Sequence, residues 1–224
     1  MDAKVPELAP LVLLAFLGAG LLIFCSLVGT AIALAAQRFG LAKLLGAGGL
    51  AVAVIYGTLL LGAALISEER TLRPNEKKYF CEMDCHVAYS IEDAVADDTH
   101  PVITVRTWFD PSTIASFRGN APLTPNPRTV YLVDEAGRRY KPSAAATEAW
   151  ERRHGRSIPL TQELHPGESY TTTFVFETAP GARHFRFFIG DPPGPENLLI
   201  GHENSPFHRK VFHALAPERA AARS

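Results

Sequence analysis

The sequence predicts two transmembrane helices followed by an immunoglobulin-like β-sandwich that carries one short helical insertion. Three observations predict this fold class. Residues 8–36 and residues 44–66 contain no charged side chain, and residues 67–224 hold nearly all the charge of the chain. Beyond residue 78, apolar residues often alternate with polar ones, which is the period of β-strands. The chain therefore combines a segment suited to lipid with a domain suited to water.

The two uncharged runs predict a helical hairpin in a membrane. Each run is long enough to cross the ~30 Å hydrocarbon core as a helix, and only a short polar stretch at residues 37–43 separates them. A cleaved signal peptide would begin with basic residues and have a shorter apolar stretch. Residues 1–7 are not basic, so a permanent anchor is the better interpretation.

Small residues on the second helix predict where the two helices pack. Gly49, Ala53 and Gly57 are spaced four apart, as in ridges that let helix backbones approach closely in lipid. Packing within the hairpin is the simpler interpretation of this ridge, and a larger assembly is the alternative. Neither apolar run contains an Asp, Glu, His or Arg side chain, which disfavours a channel or a transporter.

The distribution of positive charge bears on the orientation of the chain in the membrane. The lysines and arginines that follow the second helix outnumber those of the hairpin loop, which favours a cytoplasmic β domain. That rule weakens for long translocated domains, and the domain type is common outside the cytoplasm. We therefore expect an integral protein of the bacterial inner membrane with its soluble domain on the extracytoplasmic side.

The water-soluble part is predicted to consist of short strands. Candidate strands are His86–Ile91, Pro101–Phe109, Arg128–Val133, Ser169–Glu177, His184–Ile189 and Arg209–Leu215. Residues 143–154 instead predict a helix, which Ser143 caps, Gly155 ends and Trp150 packs against the sheets. The expected organisation is a hairpin over 1–66 with helices at about 9–36 and 42–66, a polar stalk over 67–78, a sandwich over 79–215 and a disordered tail over 216–224.

Several turns and strands in the second half resemble those of a known family. Residues 130–140 read VYLVDEAGRRY, residues 164–176 read LHPGESYTTTFVF, and a Phe-rich strand follows. This order is similar to the telokin-like immunoglobulin domains of bacterial lipoproteins and membrane-anchored proteins. The resemblance spans roughly residues 100–200. It implies an extracytoplasmic binding or structural role and carries over no catalytic residues.

The segment YFCEMDCH at residues 79–86 is the strongest candidate for chemistry. Thiolate, thioether and imidazole are ligands for copper, and thiolate with imidazole also suits zinc. The competing interpretations are a disulfide between Cys81 and Cys85, a thiol–disulfide redox pair, and two separate thiols. The candidate metal ligands are Cys81, Met83, Cys85 and His86, with His202 or His208 as a further ligand.

The same segment has a partial likeness to cytochrome oxidase subunit two. That family also joins a two-helix hairpin to an extracytoplasmic β domain and has two cysteines with this spacing. It places a histidine four residues after the second cysteine, where this chain has Tyr89, and its motif comes late in the β domain. We therefore do not transfer its copper centre.

Composition and motifs disfavour two other classes of function. The chain has 22 basic and 23 acidic side chains, whereas nucleic-acid binding needs a basic face. No phosphate loop, nucleophile elbow or His-Glu-x-x-His helix is present, so we expect no enzymatic activity and no catalytic residues. The sequence predicts a non-enzymatic envelope protein that presents its β domain to a membrane or envelope protein. Copper or zinc handling is the alternative, and otherwise no cofactor is expected.

Overall fold

The structure is a computed structural model that describes residues 9–82, 85–95 and 99–215, with side chains from residue 11 onward. Met83 and the predicted tail at 216–224 lie outside the described residues. The chain divides into two compact units. One comprises Pro6–Glu69 and Pro193–Lys210, and the other comprises Arg70–Pro192 with the chain from Val211 onward.

Two apolar helices form the core of the first unit and confirm the predicted pair. Helix α1 covers Ala9–Ala35 and α2 covers Phe39–Leu65. Gln37 adopts a left-handed conformation with φ of 57° in the tight turn between them. Both helices are long and apolar enough to cross a membrane, and their leucine, isoleucine and phenylalanine side chains are largely exposed. This is the surface expected of a helix in lipid, because the core helices of soluble proteins bury such side chains.

The two helices meet along a seam that differs from the predicted ridge. Gly49 lies at the contact, where an added Cβ would be 2.7 Å from Ser26 Cβ. Ala53 is exposed, and nothing lies within 4 Å of a Cβ added to Gly57. Each residue turns an α-helix by about 100°, so position 57 lies about 80° around the helix from position 49. The seam continues instead at Tyr56, whose ring centroid is 6.3 Å from that of Phe16.

The second unit is a β domain built from two sheets. Nine strands are described, and each of the six predicted strands is among them: β1 Arg70–Leu72, β2 Lys78–Cys81, β3 His86–Val95, β4 Val102–Asp110, β5 Thr129–Val133, β6 Arg139–Tyr140, β7 Ser169–Val175, β8 Arg186–Gly190 and β9 Val211–Ala214. One sheet is antiparallel in the order β2-β3-β4-β7, and the other is mixed in the order β1-β9-β8-β5-β6.

The two sheets share one hydrophobic core. Alternate residues of both sheets point into it, among them Val87 of β3, Val105 of β4 and Phe187 of β8. Strand β1 lies within residues 67–78, where the sequence predicted a polar stalk. Arg70–Leu72 pairs in parallel with β9, and Leu72 is fully buried. The apolar Leu72 thus gives this otherwise charged stretch a place in the sheet.

The predicted helical insertion is confirmed as α3, Ala144–His154. The Ser143 hydroxyl accepts a hydrogen bond from the Ala146 N–H, which satisfies one of the otherwise unpaired donors at the helix start. Gly155 ends the helix with φ of 97°, a conformation that favours glycine. Trp150 is only half-buried, because it lies at an open cleft beside the sheet and stacks on His154 with ring centroids 4.5 Å apart.

Candidate functional site

The cysteine-containing segment forms a tight β-hairpin. Strands β2 and β3 pair in antiparallel fashion with Cys81 directly opposite His86. The Glu82 N–H donates to the Cys85 carbonyl at 2.8 Å, which extends the pairing into the turn. The neighbour of Cys81 across the hairpin is therefore His86 and not Cys85.

The two cysteines of this hairpin lie on opposite faces. Cys81 is exposed to solvent, whereas Cys85 is buried in a cluster with Phe109 and Leu164. The alternation of side chains along a strand produces this separation. No disulfide joins Cys81 and Cys85 among the described residues, and the predicted bond stays a prediction. A disulfide needs its Cβ atoms about 4 Å apart, so the hairpin would have to rearrange to form one.

A row of three reactive side chains crosses the antiparallel sheet at Cys81. His86 pairs with Cys81 on one side and with Asp110 of β4 on the other. Directly opposite residues in antiparallel strands share a face, with Cβ atoms about 4.5–5.5 Å apart. The thiol, the imidazole and the carboxylate are therefore neighbours on the outer face of this sheet.

Asp110 at the end of this row is held as a carboxylate. Its Oδ1 accepts hydrogen bonds from the Ser112 N–H at 2.9 Å and the Ser112 hydroxyl at 2.6 Å. Burial acts to raise the pKa of Asp110, but these hydrogen bonds, one from Tyr79 and the charge of Lys77 outweigh it and lower that pKa. The row thus ends in an anion whose hydrogen bonds come largely from Ser112 and Tyr79.

The predicted metal ligands are distributed over both units. Cys81, Cys85 and His86 belong to the β domain, whereas His202 and His208 belong to the loop Pro193–Lys210 of the helical unit. Among the described residues, no group of three or more histidine, cysteine, aspartate or glutamate side chains has the spacing to hold a metal ion. Cys81 and His86 remain a two-ligand pair, and Met83 is outside the described residues.

A buried cluster of charges fixes the turn end of the hairpin. The Arg128 guanidinium forms ion pairs with Glu82, which follows β2, and with Asp191, which follows β8. Arg128 and Glu82 side chains are each only 2 % exposed, and Arg128 Cζ lies 4.1 Å from the centroid of the Phe80 ring. Burial raises the pKa of Glu82, although Arg128 and Asn126 act in the opposite direction. The cluster joins the two sheets beside Cys81.

A second candidate site is a cleft of about 540 Å³ between α3 and the antiparallel sheet. Small and apolar residues of α3 and of the strands β4 and β7 form most of its surface, and charged side chains stand at its rim. Its lining includes Val102, Ala146, Ala149, Trp150, Arg153, Val175 and Glu177.

The sequence contains a signal for this cleft in the spacing of residues along α3. Ala146, Ala149 and Arg153 are spaced three and four apart, so they share one face of α3. Alanine on the sheet-facing side of a helix leaves space, which a larger residue would fill. The position of Asp110 beside His86 had no such signal, because it depends on the register between β3 and β4.

Comparisons with known proteins give no family for this chain. No family model and no curated protein sequence matches it. Among solved structures, it is similar to the secreted protein MPT63 from Mycobacterium tuberculosis, with 11 % identity over 56 % of this chain and 98 % of that one, at a TM-score of 0.37. A conserved hypothetical protein from Bacillus anthracis has 21 % identity over 50 % of this chain and 86 % of that one, at a TM-score of 0.28.

Proposed function

We propose that this protein is an integral protein of the bacterial inner membrane whose β domain is a non-enzymatic binding or assembly module. In this proposal α1 and α2 span the bilayer, and the β domain is an immunoglobulin-type sandwich on the extracytoplasmic side. Two sheets around one shared core support the sandwich. The exposed apolar surfaces of the helices support the anchor.

The single observation that carries the binding role is the cleft beside α3. Its apolar walls of Val102, Val175 and Trp150 would bury an apolar side chain of a partner. Arg153 and Glu177 at the rim offer charges of both signs, which suit a polypeptide better than a strongly anionic or cationic ligand. A membrane or envelope protein is therefore the proposed partner.

Blocking the cleft tests this function. Ala149→Arg places a long charged side chain in the cleft, whereas Glu148→Arg places the same side chain on an exposed position of the same helix. A photo-crosslinking residue at position 153 in native membranes should form a discrete adduct that Ala149→Arg removes and Glu148→Arg retains. An adduct of equal yield in both variants, with thermal melts showing both folded, would refute the cleft as the binding site.

Copper or zinc handling is the second candidate, supported by the neighbouring positions of Cys81 and His86. A thiolate and an imidazole suit both metals, but a closed zinc site needs four ligands. In this proposal the remaining ligands come from a donor or acceptor molecule during metal transfer. Bound metal should then fall with Cys81→Ser and persist with Cys85→Ser, since Cys85 lies on the other face. Equal metal content in the two variants would exclude it.

A thiol–disulfide redox role for Cys81 is a third candidate. Cys81 is exposed to solvent and lies opposite His86 on the neighbouring strand, so other molecules can reach its thiol. A mixed disulfide trapped by Cys85→Ser and absent from Cys81→Ser would support this role. Failure of Cys81 to form any mixed disulfide with small disulfides would exclude it.

A further inference from the structure

The loop between β8 and β9 is tied to the helical unit at two levels. Near its middle, the Tyr56 hydroxyl of α2 donates to the Leu198 carbonyl at 2.7 Å. At its end, the Arg209 N–H donates to the Ser67 hydroxyl oxygen at 2.8 Å, just beyond the end of α2. The loop Pro193–Lys210 therefore runs alongside the last turns of α2.

The Tyr56 contact places the middle of this loop at a considerable depth along the helix. Tyr56 precedes Leu65, the last residue of α2, by nine positions, which is about 13 Å at a rise of 1.5 Å per residue. The 27 residues of α2 extend about 40 Å, roughly 10 Å more than the hydrocarbon core of a bilayer. This extra length of α2 can project from either side of the hydrocarbon core. For every such position of the helix, Leu198 comes close to the hydrocarbon boundary or lies below it.

Part of the backbone of the loop forms hydrogen bonds within the loop, an arrangement favoured where water is scarce. Successive turns pair the N–H groups of Leu199, His202 and Ser205 with the carbonyls of Glu196, Leu199 and His202 at 2.9–3.1 Å. The Ser205 hydroxyl adds a bond to the Leu199 carbonyl at 2.7 Å. With the bond from Tyr56 to Leu198, four carbonyls in the middle of the loop accept hydrogen bonds, those of Glu196, Leu198, Leu199 and His202.

The middle of the loop carries three consecutive apolar side chains, with charged residues on either side. Leu198, Leu199 and Ile200 form an apolar tip, and Leu198 is 49 % exposed. Lys210 at the base donates to the Glu203 carbonyl and to Asn204 Oδ1. Glu196 is a charged side chain next to the tip and is half-buried, so it limits the tip to the level of the lipid headgroups and the uppermost acyl chains.

We infer that the tip Leu198–Ile200 docks in the interfacial layer of the bilayer, beside α2. The occupant of its exposed surface is lipid at the boundary between headgroups and acyl chains. Tyrosine is favoured at this level because its ring is apolar and its hydroxyl needs a partner, which here is the Leu198 carbonyl. The inference rests on the proposed membrane anchor, and it gives the protein a third contact with the bilayer after its two helices.

Quenching of tryptophan fluorescence by brominated lipids tests the inference. In the full chain, Trp108→Phe and Trp150→Phe remove the native tryptophans, and Leu198→Trp introduces a single reporter. The protein is placed in vesicles of phosphatidylcholine that is brominated either high on the acyl chains or near their ends. We expect strong quenching by the shallow bromines and weaker quenching by the deep ones. Adding Tyr56→Phe, which removes the tether, should reduce the quenching at least twofold.

Two reference reporters separate the failure of this inference from failure of the anchor. Leu50→Trp, on an exposed position of α2, should be quenched if the helix spans the bilayer, and Trp150 kept alone reports on the β domain. An unquenched Leu198→Trp beside a quenched Leu50→Trp overturns the inference and leaves the anchor. Red emission would then mean that water covers the tip, and blue emission that protein covers it. Lack of quenching at both positions overturns the anchor and the inference together.

A second reporter keeps the test valid if the tryptophan replacements unfold the β domain. A nitroxide on Leu198→Cys, in the full chain with Cys25→Ser and Cys81→Ser so that no other exposed thiol carries the label, is compared for collision with oxygen and with a nickel chelate. Oxygen concentrates in lipid, and the chelate stays in water. Preference for oxygen supports docking in the bilayer, and preference for nickel overturns it.

Discussion

At the scale of single residues, His213 is a fully buried histidine whose lost hydration is not replaced by hydrogen bonds within the described residues. It lies on β9 between Leu72 of β1 and Phe187 of β8. Within the described residues, neither of its ring nitrogens has a hydrogen-bond partner. Burial and the charge of Lys78 lower the pKa of His213 to about 3, although Glu76 acts in the opposite direction. The folded domain therefore keeps this imidazole neutral.

The neutral imidazole makes the stability of the domain depend on pH. Unfolded histidine gains a proton below a pKa of about 6.5, whereas His213 in the folded state does not until about pH 3. The contribution of His213 to the free energy of unfolding is therefore at its full value above pH 6.5. It is lost as the pH falls towards 3, and at pH 5.5 the free energy of unfolding is lower by about 1.4 kcal/mol. Denaturant titrations at pH 7.5 and 5.5 should show this loss in the parent chain and not in His213→Leu. The exposed control His165→Leu should retain it, and an equal loss in all three would contradict the assignment.

Arg128 is the residue whose loss should cost most in the buried charge cluster. Arg128→Met leaves Glu82 buried without its cation, which we expect to destabilise the domain by about 3–5 kcal/mol. Arg106→Met breaks an ion pair with Glu92 whose side chains are 50 % and 36 % exposed, and should cost under about 1 kcal/mol. Denaturant unfolding of both variants measures the difference. Similar losses of stability in the two variants would show that water reaches the Arg128 cluster in solution.

At the scale of elements, the seam between α1 and α2 gives a matched pair of substitutions. Gly49→Val would bring a Cβ to 2.7 Å from Ser26 Cβ, whereas Gly57→Val meets open space. Both changes carry the same intrinsic cost of a β-branched residue in a helix, so their difference reports packing alone. We expect Gly49→Val to be less stable by about 1–3 kcal/mol in thermal unfolding in detergent micelles. Equal stability would place the seam elsewhere.

The elements also show which patterns in the sequence were informative. Period-two runs such as Phe185–Ile189 were found as strands because burial on one face imposes alternation on the sequence. Strands β1, β2 and β6 were missed: they have two to four residues, too few to establish a period. Of the residues spaced four apart, Gly49 lies at the contact between the two helices and Gly57 does not, because contact follows the 3.6-residue turn and drifts off a strict spacing of four.

At the scale of the whole molecule, the side of the membrane on which the β domain lies can be read from a native thiol. Cys81 is exposed in the β domain, Cys85 is buried, and Cys25 lies in α1. A membrane-impermeant maleimide should therefore label intact cells at Cys81 if the domain is extracytoplasmic. Cys81→Ser should abolish the labelling. Labelling only after cell lysis would place the domain in the cytoplasm, as the count of lysines and arginines favours.

Features that depend on a local pattern, or on the transfer of an apolar run from water to lipid, followed from the amino-acid sequence alone. Uncharged runs of the length of a bilayer define α1 and α2, and Ser143 and Gly155 mark the ends of α3, because these signals lie within a few neighbouring residues. Contacts between distant residues became visible in the three-dimensional fold. Strand register set His86 between Cys81 and Asp110, and the fold joined Glu82 to Arg128 and Leu198 to Tyr56. Such pairings depend on how whole sheets and loops pack, and no short segment of the chain encodes them.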